Sequence, residues 1–248
     1  MTFCLGMIVE EGIVGIADSR LTSGNEIISA KKVTNYQHGR GSLFIMTSGL
    51  RSIRDKTLTY FEEAMGDRLE PHDRLFNVVN TFTDQIRRVS REDKEALVES
   101  GLKFDFYALV GGRLAGDRDH LLYLVYPQGN WVEIGRGTPY QIIGSAAYGK
   151  PVLDRTLKYE DSLRFALKVG CLAFDSTRIS AADVDFPIDV TIYERNSCRI
   201  TEHRYYKQDL APISDWWQER LRNSVRELPA EWIDRVFMNV LPTADISG

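Results

Sequence analysis

Cysteine is scarce and unpaired in this sequence, with only Cys4, Cys171 and Cys198 among 248 residues. Their odd number, wide spacing and lack of a CxxC pair exclude a disulfide framework and a structural zinc site. They are expected to be buried as small apolar side chains. Histidine is nearly as sparse: His38, His72, His120 and His203 show no HxH or HExxH spacing, so neither a catalytic metal nor any other cofactor is expected. All four read as surface or turn residues. A GxSxG elbow is missing, and the glycines at Gly111-Gly112 and around Arg136 do not lead from a strand into a helix, so a phosphate loop is excluded. Positive charge is not in excess either. The formal net charge is −4 without a basic stripe, which removes the electrostatic footprint of a nucleic-acid partner. Long apolar runs are absent, and the opening MTFCLGMIVEEG has no basic segment and soon meets Glu10 and Glu11. Neither a signal peptide nor a membrane span is expected, and the chain reads as cytoplasmic.

What remains is the composition of a globular protein, 43% hydrophobic and 27% charged, without repeats or low-complexity segments. From Thr2 to Val9 the pattern is that of a strand, followed by a Glu10-Glu11-Gly12 turn and a second apolar strand from Ile13 to Ala17. This β-hairpin begins at the second residue. Extended runs follow near residues 27–36 and 42–47, and the four strands fit one antiparallel sheet. Helical spacing then covers residues 52–65 and a longer stretch from Asp73, where Leu75, Val78, Val79, Phe82 and Ile86 share a stripe. Strands return at 104–111, 120–126, 131–134 and 140–143, forming a second sheet. Helices at 148–157 and 161–177 and strands at 188–195 and 199–206 complete the pattern. Strands and helices in segregated runs indicate an α+β sandwich with two antiparallel sheets between helix layers. One domain over residues 1–208 is expected, with a helical extension over 209–248. There Ser214 reads as an N-cap, and a last helix opens at Pro229.

The chemistry in this pattern gathers at the amino terminus. A threonine hydroxyl is a poor nucleophile at neutral pH, but the free α-amine of the same residue, with a pKa near 8, can act as its base. Thr2 fits that role once Met1 is removed, and its small side chain permits the removal. Antiparallel pairing across the turn brings Asp18 close to residues 2–4. The next cations are Lys31 and Lys32, within reach of both Asp18 and Thr2. An ammonium beside the hydroxyl lowers its proton affinity, and a carboxylate holds that ammonium in place.

The segment MTFCLGMIVEEGIVGIADSRLTSG followed by AKKV resembles the start of proteasome β-subunits and of the bacterial HslV peptidase. Downstream, MTSGL resembles that family's glycine turn, IIGSAAYG its serine segment near the N-terminal amine, and FDST before PIDVTIYE its late helix and strand. The resemblance covers roughly residues 2–206. It implies a four-layer αββα fold and a threonine-type peptidase, with Thr2 as nucleophile and base. Asp18 would pair with Lys32, Gly49 would donate to the oxyanion, and Ser145 would contact the amine. Arg20 would brace the turn. The loop between Asp18 and Lys32 is shorter than the family's, which leaves Lys31 as an alternative. The late Asp-x-x-Ser element lacks its usual glycines, so Ser180, Asp183 and, last in rank, Asp175 compete for that position. The lack of a propeptide, the variant loop and a tail with Trp216, Trp217 and Trp232 most resemble the bacterial Anbu (ancestral β-subunit) group. That resemblance implies like subunits assembled into a ring or an open helical turn, acting on a peptide or amide, with any unfoldase partner unspecified. Two other functions fit the same fold: an assembly subunit with little hydrolytic activity, and a hydrolase of non-peptide amides.

Overall fold

The computed structural model describes residues 2–23, 26–38, 41–66 and 73–237. Met1, the Gly24-Asn25 tip of the TSG turn, His72 and the tail from residue 238 lie outside them. The chain divides into two compact units, Met1–Asp209 and Leu210–Gly248.

The first unit is built on two antiparallel sheets. One contains β1 (Phe3–Val9), β2 (Gly12–Asp18), β10 (Tyr140–Gly144), β11 (Ile188–Glu194) and β12 (Arg199–Tyr205), in the order β10-β1-β2-β11-β12. The other runs β5 (Val33–His38), β6 (Gly41–Gly49), β7 (Phe106–Arg113), β8 (Leu121–Val125) and β9 (Trp131–Glu133) in sequence order. A short ribbon of β3 (Arg20–Ser23) and β4 (Glu26–Ser29) separates β2 from β5. The four early strands therefore do not share a sheet as expected: the hairpin lies in one sheet, and β5 and β6 in the other. Strand β10 likewise leaves its neighbours to pair with β1, Phe3 opposite Gly144. Apolar alternation reports which face of a strand is buried, and both sheets bury theirs, so the pattern carried no information on which sheet each strand joins.

Both β1 and β2 are buried along their whole length, as strands covered on two faces must be. Side chains alternate across β1. Phe3 stacks edge-on against Phe174 of α4 (Leu163–Ser180), their centroids 5.9 Å apart, whereas Cys4 and Ile8 pack with Phe44, Met46, Leu109 and Leu122 of the opposite sheet. Helices α1 (Arg51–Met65) and α2 (Leu75–Glu99) cover the outer face of that second sheet through Phe61, Val78, Phe82 and Ile86. Helices α3 (Lys150–Thr156) and α4 belong to the other outer layer, α4 against β1 and β2. The four layers are thus helix, sheet, sheet, helix, each large apolar side chain contributing about 1.5–3 kcal/mol on burial. Ser162 caps α4 by accepting from the Phe165 amide at 3.2 Å, the arrangement preferred at a helix start.

In the tail, α5 (Lys207–Arg226) begins earlier than expected, and Ser214 lies inside it rather than at its cap. The Asp209 carboxylate, in the first turn, reaches back to accept from the Tyr206 amide at 2.7 Å, the N3 half of a capping box. The last described helix is α6 (Glu231–Phe237). Among the described residues, no helix is long and apolar enough to cross a membrane. His120 is a further departure from expectation. It is 2% exposed, with Nε2 2.7 Å from the Val9 carbonyl, and is a buried tie between β8 and the hairpin end rather than a surface residue.

Candidate active site

Residue 2 continues β1. The Ser145 amide donates to the Thr2 carbonyl at 2.7 Å, so pairing with β10 extends one step beyond Phe3 and Gly144. Strand alternation then sets Thr2 on the face of Cys4, towards β6. Gly144 has φ +88° at this step, and a Cβ there would collide with the Thr2 carbonyl oxygen and lie 3.3 Å from Ser48 Oγ. Glycine is required by both the torsion and the close approach. The end of β6 therefore lies alongside the start of β1. Gly49, the next residue, turns the corner into α1 with φ +126°, exposed, where a Cβ would strike the Asp105 carbonyl.

Asp18 ends β2. Its Oδ1 accepts from the Phe3 amide at 2.7 Å and from Lys32 Nζ at 2.7 Å. The pair is buried, with the Asp18 side chain 0% exposed and Lys32 5%. Lys32 Nζ also donates to the Arg20 carbonyl at 2.8 Å. Among the described residues, the buried Asp18 Oδ2 has no hydrogen-bond partner. Burial pushes the Asp18 carboxyl above its ordinary value, only partly opposed by Lys32 and the Phe3 amide. Lys31 points elsewhere and pairs with Glu202 Oε1 at 2.6 Å on the surface. Of the two lysines, Lys32 is the one the fold joins to Asp18.

Arg20 reaches Asp185 at 3.4 Å in the turn before β11. Ser145 is buried. Ser180 is exposed as the last residue of α4, and Asp183 is half-buried just beyond it. Asp175 faces Arg178 at 2.6 Å within α4. One cluster went unnoticed in the sequence: Ser19, Asp189 and Arg204. Ser19 Oγ donates to Asp189 Oδ2 at 2.9 Å, and Arg204 forks onto both Asp189 oxygens at 2.7 and 2.9 Å. The signal for it is Asp189, an acidic residue between apolar neighbours in PIDVTIYE. Cys4 and Cys171 are buried, with their thiols pushed up by desolvation, Cys171 to about 12, while Cys198 is half-buried. No group of three or more His, Cys, Asp and Glu among the described residues is placed to hold a metal ion.

No protein-family model and no curated protein matches the sequence. Solved structures do. Anbu (ancestral beta-subunit) from Yersinia bercovieri is 26% identical, with 92% of this chain and 98% of that one covered and a TM-score of 0.84. The Gly-1 mutant of Anbu from Hyphomicrobium sp. strain MC1 gives the same identity, coverage and score. The helical assembly of the Anbu complex from Pseudomonas aeruginosa is also 26% identical, covering 92% of this chain and 97% of that one, with a TM-score of 0.85. Two antiparallel sheets between helix layers, entered by the chain at its second residue, thus give a proteasome β-subunit type of N-terminal-nucleophile fold that is similar to Anbu along nearly the whole chain.

Proposed function

We propose that this chain is a threonine-type amidohydrolase acting on peptides or amides, with Thr2 as nucleophile once Met1 is removed. The observation that carries the reading is the buried Asp18–Lys32 ion pair, whose carboxylate also holds the amide of Phe3, the residue directly after Thr2. Ionised partners out of water are costly unless hydrogen-bonded and well used. Here the pair holds the amide of the residue that follows the one hydroxyl an adjacent free amine would activate.

In the mechanism, the Thr2 α-amine takes the hydroxyl proton as Oγ bonds to the substrate carbonyl carbon. The Lys32 ammonium lowers the proton affinity of that hydroxyl, and Asp18 orients Lys32. The Gly49 N–H stabilises the oxyanion, and Ser145 helps to hold the amine. As the C–N bond breaks, the departing amine receives the proton, and water then frees the acyl group from Oγ. Ser180 at the end of α4 and Asp183 just beyond it take supporting roles. The subunit works in an assembly of its own copies, by analogy with the helical assembly of the Pseudomonas aeruginosa Anbu complex. The exposed Trp216, Leu221, Val225 and Trp232 of the tail favour such association.

The test is intact mass combined with labelling by a peptide epoxyketone, which bridges a hydroxyl and an amine on one residue. The expected result is a chain lacking Met1 and a single adduct on Thr2. Thr2→Ser should keep the adduct and Thr2→Ala should abolish it. Hydrolysis retained by Thr2→Ala would discard the mechanism.

A further inference from the structure

Among the described residues, Lys32 Nζ has two acceptors, Asp18 Oδ1 at 2.7 Å and the Arg20 carbonyl at 2.8 Å. They come from the residues on either side of Ser19, so the orientation of Ser19 decides whether both can face one ammonium. Ser19 is fully buried, and all its polar groups are engaged. Its amide donates to the Pro187 carbonyl at 2.8 Å, and its carbonyl accepts from the Ala30 amide at 2.8 Å. Its hydroxyl donates to Asp189 Oδ2 at 2.9 Å and accepts from Arg204 Nη2 at 3.3 Å.

The far end of this chain of contacts is equally constrained. Asp189 is 1% exposed, lies opposite Ala17 of β2 and opposite Arg204 of β12, and takes a two-pronged bond from that guanidinium. Forked Arg–carboxylate contacts fix direction as well as distance. A buried ion pair is a weak source of stability, since apolar residues of similar volume often do as well or better, and fixing a geometry is one attested reason to keep one.

We propose that Asp189 and Arg204 are positioning residues for Lys32, acting through the Ser19 hydroxyl. The role in catalysis rests on the function proposed above, whereas the control of Lys32 does not. With the brace intact, residues 18 and 20 present the carboxylate oxygen and the carbonyl oxygen to the same ammonium. Once it is removed, Ser19 keeps only its main-chain bonds to Pro187 and Ala30, the alignment of the two acceptors loosens, and the hold of Lys32 on one of them weakens. The Ala30 bond carries the same constraint towards Lys32 along the chain, two residues before it.

The experiment is competitive acetylation of the folded full-length protein with a trace of acetic anhydride, read by mass spectrometry as the Lys32:Lys31 ratio. Lys31 is half-exposed and serves as the internal reference. In the parent protein Lys32 should react far more slowly than Lys31. Asp189→Asn and Ser19→Ala should each raise the ratio roughly fivefold, the factor that one hydrogen bond represents. Arg204→Lys, which keeps the charge but not the fork, should fall between. Ser19→Ala is the gentler change and carries the test if Asp189→Asn does not fold. A ratio unchanged in folded Ser19→Ala overturns the proposal, even if its melting temperature drops, because a brace serving stability alone would lower Tm without altering Lys32. Epoxyketone labelling in the same samples separates the two readings. A parent protein whose Lys32 responds to these variants but whose Thr2 never reacts overturns the catalytic reading and leaves the brace standing.

Discussion

Lys32 and Asp18 meet at 2.7 Å in a buried ion pair that leaves Asp18 Oδ2 with no hydrogen-bond partner among the described residues. A carboxylate that is desolvated and only half satisfied takes up a proton more readily than an exposed one. Burial raises the Asp18 carboxyl above 3.8. The expected outcome is an acid limb in the rate of epoxyketone labelling whose midpoint lies above the ordinary Asp value, because protonation removes the counter-charge of Lys32. The stability sign is opposite. A raised folded-state pKa means that the native state binds this proton more tightly than the unfolded chain, so the Asp18 contribution falls as pH rises through that window and returns on acidification. Labelling should therefore be lost while the protein is still folded by circular dichroism. Asp18→Asn should slow labelling about a hundredfold and erase the limb.

Gly144 tests whether the placement of Thr2 matters independently of any charge. Gly144→Ala sets a Cβ against the Thr2 carbonyl and forces alanine to φ +88°. A cost of about 1–3 kcal/mol is expected from the torsion alone, and labelling per folded molecule should fall sharply. Gly135→Ala, where an added Cβ meets no atom within 4 Å, should leave both unchanged. Equal labelling in the two variants would show that the Thr2 main chain need not be held by β10.

The sequence made the local elements legible and left their partners hidden. The hairpin, the helical stripes and the α+β order follow from side-chain periods, which are local. The assignment of β5 and β6 to a different sheet from β1 and β2 is set by crossovers, which leave no period. Asp18 was legible because a turn near residue 11 reflects it onto residue 3. The choice of Lys32 over Lys31 was not, since it depends on how the chain leaves the β3–β4 ribbon. Asp189 and Arg204 are 15 residues apart and lie 170 or more from Ser19, so only the folded sheet brings them together.

His120 provides a pH test remote from the site. Burial lowers its pKa from 6.5, against the pull of Asp119 and the Val9 carbonyl. The unfolded chain then binds the proton first, so stability is full above about pH 6.5 and falls as pH drops through the ordinary His value towards the folded one. Urea midpoints measured between neutral and mildly acidic pH should decline for the parent protein. The decline should be shallower for His120→Gln, and identical slopes would place the titrating group elsewhere.

The two helix layers allow stability and site geometry to be separated. Phe174 sits between Phe3 and Phe186, with ring centroids at 5.9 and 5.0 Å, while Phe82 sits between Phe61 and Phe106 on the other side of the sandwich at 5.3 and 6.2 Å. All but Phe186 are fully buried, so truncating either Phe174 or Phe82 to alanine should cost about 3–5 kcal/mol. Only Phe174→Ala opens a cavity under the residue that follows Thr2. Labelling per folded molecule, with the folded fraction taken from denaturant curves, should therefore fall in Phe174→Ala and hold in Phe82→Ala. A matching fall in both would mean that reactivity tracks global stability, and that the α4 layer has no special part in seating the start of β1.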